Sequence, residues 1–404
     1  MKTVSLDSIA IYLHIPFCET KCPYCDFNTY VKIESLIPAY VDALCAEIFL
    51  WGDILGKHPV HSVFFGGGTP SYLPTSNIGL IMSAIDNVFS IQDGAEITLE
   101  SNPGDLVIKN LIDYQSLGIN RISIGVQSFD ERLLKTLGRR HSASDACTAF
   151  KVVEDSGFEN ISIDLMYGLP FQTINDWENT IDVARSLSPQ HVSMYCLSLE
   201  PGTPLHNDVQ SGRIPDPDDD LAADMYLMAQ NNMSSGGYRH YEISNWAVPG
   251  KESNHNLTYW RNQSYLGVGP GAHSYLLGHR LFNIKSPKEY IHKLSSDVAI
   301  EDHVRVQNPV ETEHIFDRVP VVESDEIIGR QLEMSETMIM GLRLDTGIEF
   351  KSFADRFGTD LMEEYRLEIG QLMEDGLLRQ HRGTIKLTSR GRLLGNEVFS
   401  RFIR

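Results

Sequence analysis

No apolar run in this 404-residue chain approaches the ~20 residues of a membrane-spanning helix, although 42 % of its residues are hydrophobic. That apolar content, spread along the chain, suits one large buried core and a smaller one. Basic charge is in short supply: 34 Lys and Arg stand against 54 Asp and Glu, a net charge of −20. Phosphate backbones are held by excess Lys and Arg, so the balance predicts no nucleic-acid partner. Cysteine is sparse, six in all. Cys45, Cys147 and Cys196 are scattered through periodic apolar segments, as reduced core residues are, and suggest no disulfide framework. The N-terminal stretch carries Lys2 and Asp7 and lacks the cleavable apolar segment of a secretory signal. Together these absences predict a cytoplasmic protein.

What is present alternates. Strand-like runs at Ile9–Ile15, Ser62–Phe65, Glu96–Glu100, Arg121–Val126, Ile161–Met166 and Val192–Leu199 are separated by helix-like stretches. The latter are Ala39–Leu50, Asn77–Phe89, Leu106–Leu117, Ser142–Glu154 and Ile174–Arg185. Such alternation predicts an α/β fold of parallel strands joined by crossovers, with functional loops gathered at the C-terminal strand ends. We divide the chain into a barrel over 1–296, a Pro-interrupted linker over 297–325 and a C-terminal domain over 326–404. The last part reads as helix, short helix, helix, a hairpin around Arg382-Gly383-Thr384 and a final helix, a winged-helix-like order. Its would-be recognition helix, Asp360 to Asp375, carries six acids against Arg366 alone and would repel phosphates.

The remaining cysteines are concentrated. Cys18, Cys22 and Cys25 form a C-x3-C-x2-C loop directly after the first strand. Three thiolates at this spacing suit a four-iron cluster whose fourth iron stays open to the amino and carboxylate groups of S-adenosylmethionine. Structural zinc would need a fourth ligand, for which Asp26 and His14 are the nearby candidates. Gly66-Gly67-Gly68-Thr69 follows the second strand, where glycines let a zwitterion approach the backbone. Glu100 closes the third strand, a carboxylate suited to the two ribose hydroxyls of a nucleoside. Gln127 and Asp164 are polar residues in otherwise apolar strands, which is costly unless they are paired or ligand-bound. Arg139 can pair with a cofactor carboxylate or with a neighbouring acid.

With these residues assembled, the chain resembles the radical S-adenosylmethionine superfamily, in the branch shared by oxygen-independent coproporphyrinogen III oxidases and HemW-type heme chaperones. The motifs are Tyr12-x-His14-Ile15-Pro16-Phe17-Cys18, Gly66 to Pro70, Glu100-x-Asn102-Pro103, Gly125-Val126-Gln127-Ser128, Asp164-x-x-Tyr167-Gly168-Leu169-Pro170 and Gly269-x-Gly271-Ala272-His273-Ser274. The resemblance implies a partial (β/α)6 TIM-like barrel followed by a small HemN-type domain. It implies a [4Fe-4S] cluster on Cys18, Cys22 and Cys25, supplied by an electron donor. It also implies S-adenosylmethionine contacts from Tyr12, Gly67, Gly68, Thr69, Glu100, Gln127, Arg139 and Asp164.

Within that branch, the oxidase pattern has a further cysteine two residues after the third ligand, where this chain has Phe27. The oxidases also carry an N-terminal extension, whereas Tyr12 comes almost at once here. A positive feature is His255-Asn256-Leu257-Thr258-Tyr259-Trp260, which matches the H-N-x-x-Y-W motif of the chaperones. An imidazole can ligate heme iron and aromatics can stack on the macrocycle, so His255, Asn256, Tyr259 and Trp260 are candidate heme contacts. The same residues could instead pack the barrel's open edge, and His273 and His141 are rival ligands. Phe27 and the H-N-x-x-Y-W motif favour the first of two activities, ahead of a third reading as a radical enzyme on an unrelated substrate. One is a heme carrier that delivers its cargo to apo-hemoproteins, including respiratory ones reached at the membrane through a partner. The other is oxidative decarboxylation of coproporphyrinogen III in porphyrin biosynthesis.

Overall fold

The computed structural model describes residues 8–295 and 312–404. Its core is a run of six parallel strands: β1 (Ile9–Ile15), β2 (Pro59–Gly67), β3 (Ser90–Ser101), β4 (Arg121–Gln127), β5 (Ile161–Tyr167) and β6 (His191–Cys196). Between them run α1 (Ile37–Leu55), α2 (Thr75–Val88), α3 (Ile108–Ser116), α4 (Glu131–Thr136), α5 (Ala143–Asp155) and α6 (Ile174–Leu187). The apolar positions of each strand bury against these helices. Ile9, Ile11, Leu13 and Ile15 pack with Tyr40, Leu44, Ile48 and Trp51 of α1 in one continuous core. The alternate positions turn inward and are largely polar, which fixes the strand register.

Both flanks of the parallel core are extended. On one side β8 (Asn245–Ala247) runs antiparallel to β6 and carries β7 (Arg239–Glu242). On the other, β9 (Tyr265–Val268) is parallel to β1 and is followed by β10 (His273–Leu276), β11 (His279–Asn283) and β12 (Val322–Ile327). The twelve strands form one open sheet in the order β12-β11-β10-β9-β1-β2-β3-β4-β5-β6-β8-β7. An incomplete barrel built in this way keeps its active face at the C-terminal strand ends.

The stretch 297–325 differs from a plain linker where it is described. Thr312–Arg318 is a 3-10 helix and Val322–Ile327 is the edge strand β12, while residues 296–311 lie outside the described residues. Asp360 to Asp375 is not one helix: Leu361–Glu364 and Arg366–Glu374 break at Tyr365, whose fully buried side chain anchors the C-terminal core. Around them a three-stranded sheet, Ile348–Glu349, Leu378–His381 and Thr384–Leu387, completes the winged-helix-like order. Contrary to the sequence expectation, Glu34–Leu55 is long and apolar enough by composition to cross a membrane, because Asp42, Glu47 and Asp53 interrupt its apolar run without lowering its mean hydropathy far. Its buried face (Ile37, Tyr40, Leu44, Ile48 and Trp51) is spent on the barrel core.

Candidate cofactor and cluster site

The cysteine loop leaves β1 and is stapled back onto the barrel. Cys18 N–H donates to the Tyr30 carbonyl (3.0 Å) and Tyr30 N–H to that of Pro16 (2.8 Å). The Asn28 amide donates to the carbonyls of Pro270 (2.9 Å) and Lys285 (3.0 Å). His14 Nε2 lies 3.0 Å from the Asn28 carbonyl and must donate to it, so Nδ1 accepts from the Tyr12 hydroxyl at 3.0 Å. Tyr12 thus acts from inside the barrel, orienting the histidine that holds the loop.

Cys18, Cys22 and Cys25 all face one cavity of about 760 Å³ at the C-terminal strand ends. No three His, Cys, Asp or Glu side chains converge on a single-ion site among the described residues. Three thiolates on one loop suit a four-iron cluster that keeps one iron open, whereas a closed zinc site needs a fourth protein ligand. Burial pushes the Cys18 and Cys25 thiols up, and the neighbouring sulfurs add to it. The positive iron core would supply the missing counter-charge. Thr69 Oγ1 donates to Cys18 Sγ (3.4 Å) and Arg139 Nη1 to Cys22 Sγ (3.5 Å), bonds of the kind that tune a cluster's potential.

Gly67, Gly68, Thr69, Glu100, Gln127, Arg139 and Asp164 line the same cavity, whereas Tyr12 lies behind its wall. Gly68 has to be glycine: a Cβ there would meet the Phe17 carbonyl at 2.6 Å and that of Ile15 at 2.8 Å. Gln127 holds φ +69 at a register shift in β4, a costly conformation that aims its amide into the cavity. Arg139 donates through Nη2 to Asn102 Oδ1 (2.5 Å) and the Gly125 carbonyl (2.6 Å), leaving its buried Nε without a partner among the described residues. That free donor fits a carboxylate. Glu100 accepts from Gly67 N–H at 3.2 Å, yet burial, aided by nearby Asp164, raises its carboxyl to about 8. Asp164 is likewise raised by burial, against hydrogen bonds from Ser193 and Ser123. Burial disfavours the charged form of both acids, so hydroxyl donors on a ligand in this polar cavity would stabilise carboxylates that now lack enough partners. The donors and acceptors present fit S-adenosylmethionine.

The four motif residues of the Asn254–Trp260 helix do not converge. Only Asn256 reaches the cavity. His255 is 1 % exposed, with Nδ1 on Ser62 Oγ (3.0 Å) and Nε2 on Tyr259 Oη (2.8 Å), and its ring stacks on Phe64. Burial lowers its pKa to about 3. Tyr259 packs edge-on against Tyr265. Trp260 points to the C-terminal domain, where the Arg343 guanidinium lies 4.3 Å above its ring. His141 is also buried, with Nε2 on the Val126 carbonyl at 3.0 Å. His273, by contrast, is exposed at the start of β10.

Sequence reasoning overlooked Arg121, Ser123, Ser193 and Tyr195, and named Asn102 only within a motif; all five line the cavity. Arg121, Ser123, Gly125 and Gln127 alternate strictly with Ile122, Ile124 and Val126, so period-2 counting could have found them. Asn102 is marked by the Glu100-x-Asn102-Pro103 motif, but its bond to Arg139 is set by tertiary packing.

The Radical SAM superfamily pattern matches residues 12–184 and the HemN C-terminal domain matches 330–394. The chain is 38 % identical to the "Heme chaperone HemW" of Bacillus subtilis, over 97 % of this chain and 98 % of that protein. It is 34 % identical to the Mycobacterium tuberculosis protein of the same name, over 96 % and 93 %. It is 35 % identical to "Radical S-adenosyl methionine domain-containing protein 1, mitochondrial" of Bos taurus, over 93 % and 83 %. Among solved structures, coproporphyrinogen III oxidase (HemN) from Escherichia coli aligns with a TM-score of 0.81 at 22 % identity, covering 98 % of this chain and 90 % of that one, and so shares the fold. With two domain patterns in order and such relatives matched along nearly its whole length, the chain belongs to the radical S-adenosylmethionine superfamily, in its HemN/HemW branch.

Proposed function

We propose that this protein is a cytoplasmic heme chaperone that binds heme and delivers it to apo-hemoproteins, membrane-bound respiratory ones among them. The observation that carries this reading is the near full-length similarity to proteins named heme chaperones. Phe27, standing where the oxidase pattern has a further cysteine, supports it by removing a thiol from the cavity wall. Cys18, Cys22 and Cys25 would hold a [4Fe-4S] cluster fed by an electron donor. Gly67, Gly68, Thr69, Glu100, Gln127, Arg139 and Asp164 would hold S-adenosylmethionine, with Tyr12 positioning the loop through His14. When bound, the cluster can supply an electron to the sulfonium. The chain's own part is to seat the two groups side by side in one cavity and to offer donors and acceptors to each. Of the H-N-x-x-Y-W residues, Asn256 is placed to meet a ligand directly. His255, Tyr259 and Trp260 would have to give up buried contacts first.

A transfer assay tests the reading. Heme-loaded protein mixed with apomyoglobin should lose its heme to the acceptor faster in the cluster-reconstituted form than in a cluster-free one. Retention of heme under all conditions would contradict a carrier.

A further inference from the structure

We propose that His273 is the axial heme ligand, on a rim site outside the cofactor cavity, beside the cluster loop. This inference rests on the carrier reading above.

An iron ligand must offer an accessible nitrogen lone pair. His273 does: its ring is exposed and takes part in no hydrogen bond among the described residues. Arg280 and Lys285 lie near the ring, and a neutral imidazole is the form that coordinates iron. The surroundings match the rest of a heme. The Phe282 ring lies 4.6 Å from the imidazole, an apolar face for the macrocycle. Lys285 Nζ lies 5.4 Å from the centre of that same ring, is exposed and has no ion pair among the described residues. Arg280 is held by Glu326 and Glu336, whereas Lys285 is a cation available to meet a propionate.

The position connects cargo to cofactor. Asn28 of the cluster loop bonds the Lys285 carbonyl, and a Cβ on Gly271, two residues before His273, would sit 2.6 Å from the Asn28 amide. Phe27, next to Asn28, is 62 % exposed on the cavity rim. Heme seated on His273 would thus lie against the loop that carries the cluster while leaving the cavity to S-adenosylmethionine. Loop order set by the cluster would bear directly on heme affinity.

The test uses full-length, anaerobically reconstituted protein titrated with ferric heme, read by the Soret band and electron paramagnetic resonance. His273→Ala should weaken binding about tenfold or more, a loss of about 1.4 kcal/mol per decade. His273→Cys should replace the imidazole-type spectrum with a thiolate-type one, a change that misfolding does not produce. Lys285→Ala should weaken heme severalfold but leave the dimethyl ester, which lacks free propionates, unaffected. If the wild type binds heme and His273→Ala and His273→Cys leave its spectrum unchanged, the ligand assignment is overturned while the carrier reading stands. If the wild type binds no heme, both fall.

Discussion

Glu100 illustrates what a single side chain does here. Its carboxyl, ordinarily near 4.5, is raised to about 8 by burial and by Asp164, against the pull of Gly67 N–H and Arg121. Tyr12, Tyr195 and Tyr259 share its field. A raised carboxyl favours the folded state fully below pH 4.5, and that contribution is lost as pH climbs through about 8. Glu100→Gln should therefore flatten the fall in stability between those limits, by a few kcal/mol at about 1.4 kcal/mol per pH unit. Denaturant unfolding across that range checks it, and parallel curves for variant and wild type would refute the assignment. The same variant should weaken S-adenosylmethionine binding while leaving iron and sulfide content intact. Cys22→Ala should do the reverse at the source and abolish the cluster; full iron content in that variant would remove Cys22 from the ligand set.

At the scale of elements, the Asn254–Trp260 helix is held by a carboxylate from another element. Glu96 on β3 accepts from Ser253 Oγ (3.2 Å), His255 N–H (3.0 Å) and Asn254 N–H (3.1 Å). Glu96→Ala leaves buried donors unmatched and should cost roughly 1–3 kcal/mol, read by chemical denaturation; a cost below a few tenths would mean water replaces the cap without loss. The parallel strands and their helices were legible from period and turn residues, because burial on one face leaves an alternating trace. The glycine turn, the cysteine loop and the acids at strand ends were legible for the same reason, since chemistry sits where strands stop. The roles within H-N-x-x-Y-W were not. His255 reads in sequence as a ligand, but Ser62 and Tyr259, which claim its two nitrogens, reach it only through tertiary packing. The break at Tyr365 was hidden likewise, because helix propensity continues through it while its ring is drawn inward against Phe353 and Phe402.

Across the whole molecule, the C-terminal domain is fastened to the barrel by buried charge. Glu242 has a fully buried side chain, and Arg343 approaches it at 3.7 Å while covering Trp260. Arg392 pairs with Asp345 and donates to His240 Nδ1 (3.1 Å), and Asp345 N–H donates to the Tyr241 carbonyl (2.9 Å). Arg343→Ala would strand Glu242 without a counter-charge and should destabilise by roughly 3–5 kcal/mol. Pairing it with Glu242→Gln should recover part of that loss in a double-mutant cycle; strict additivity would show that the two do not act together. A firmly docked domain would hold the barrel edge in place for the proposed heme carrier. The most direct test of that account is to titrate the anaerobically reconstituted protein with heme while following the Soret band, and to incubate it in parallel with coproporphyrinogen III and S-adenosylmethionine. Saturable heme binding at one site, with no protoporphyrinogen formed, is the predicted result; porphyrinogen decarboxylation with 5′-deoxyadenosine release and no specific heme band would contradict it.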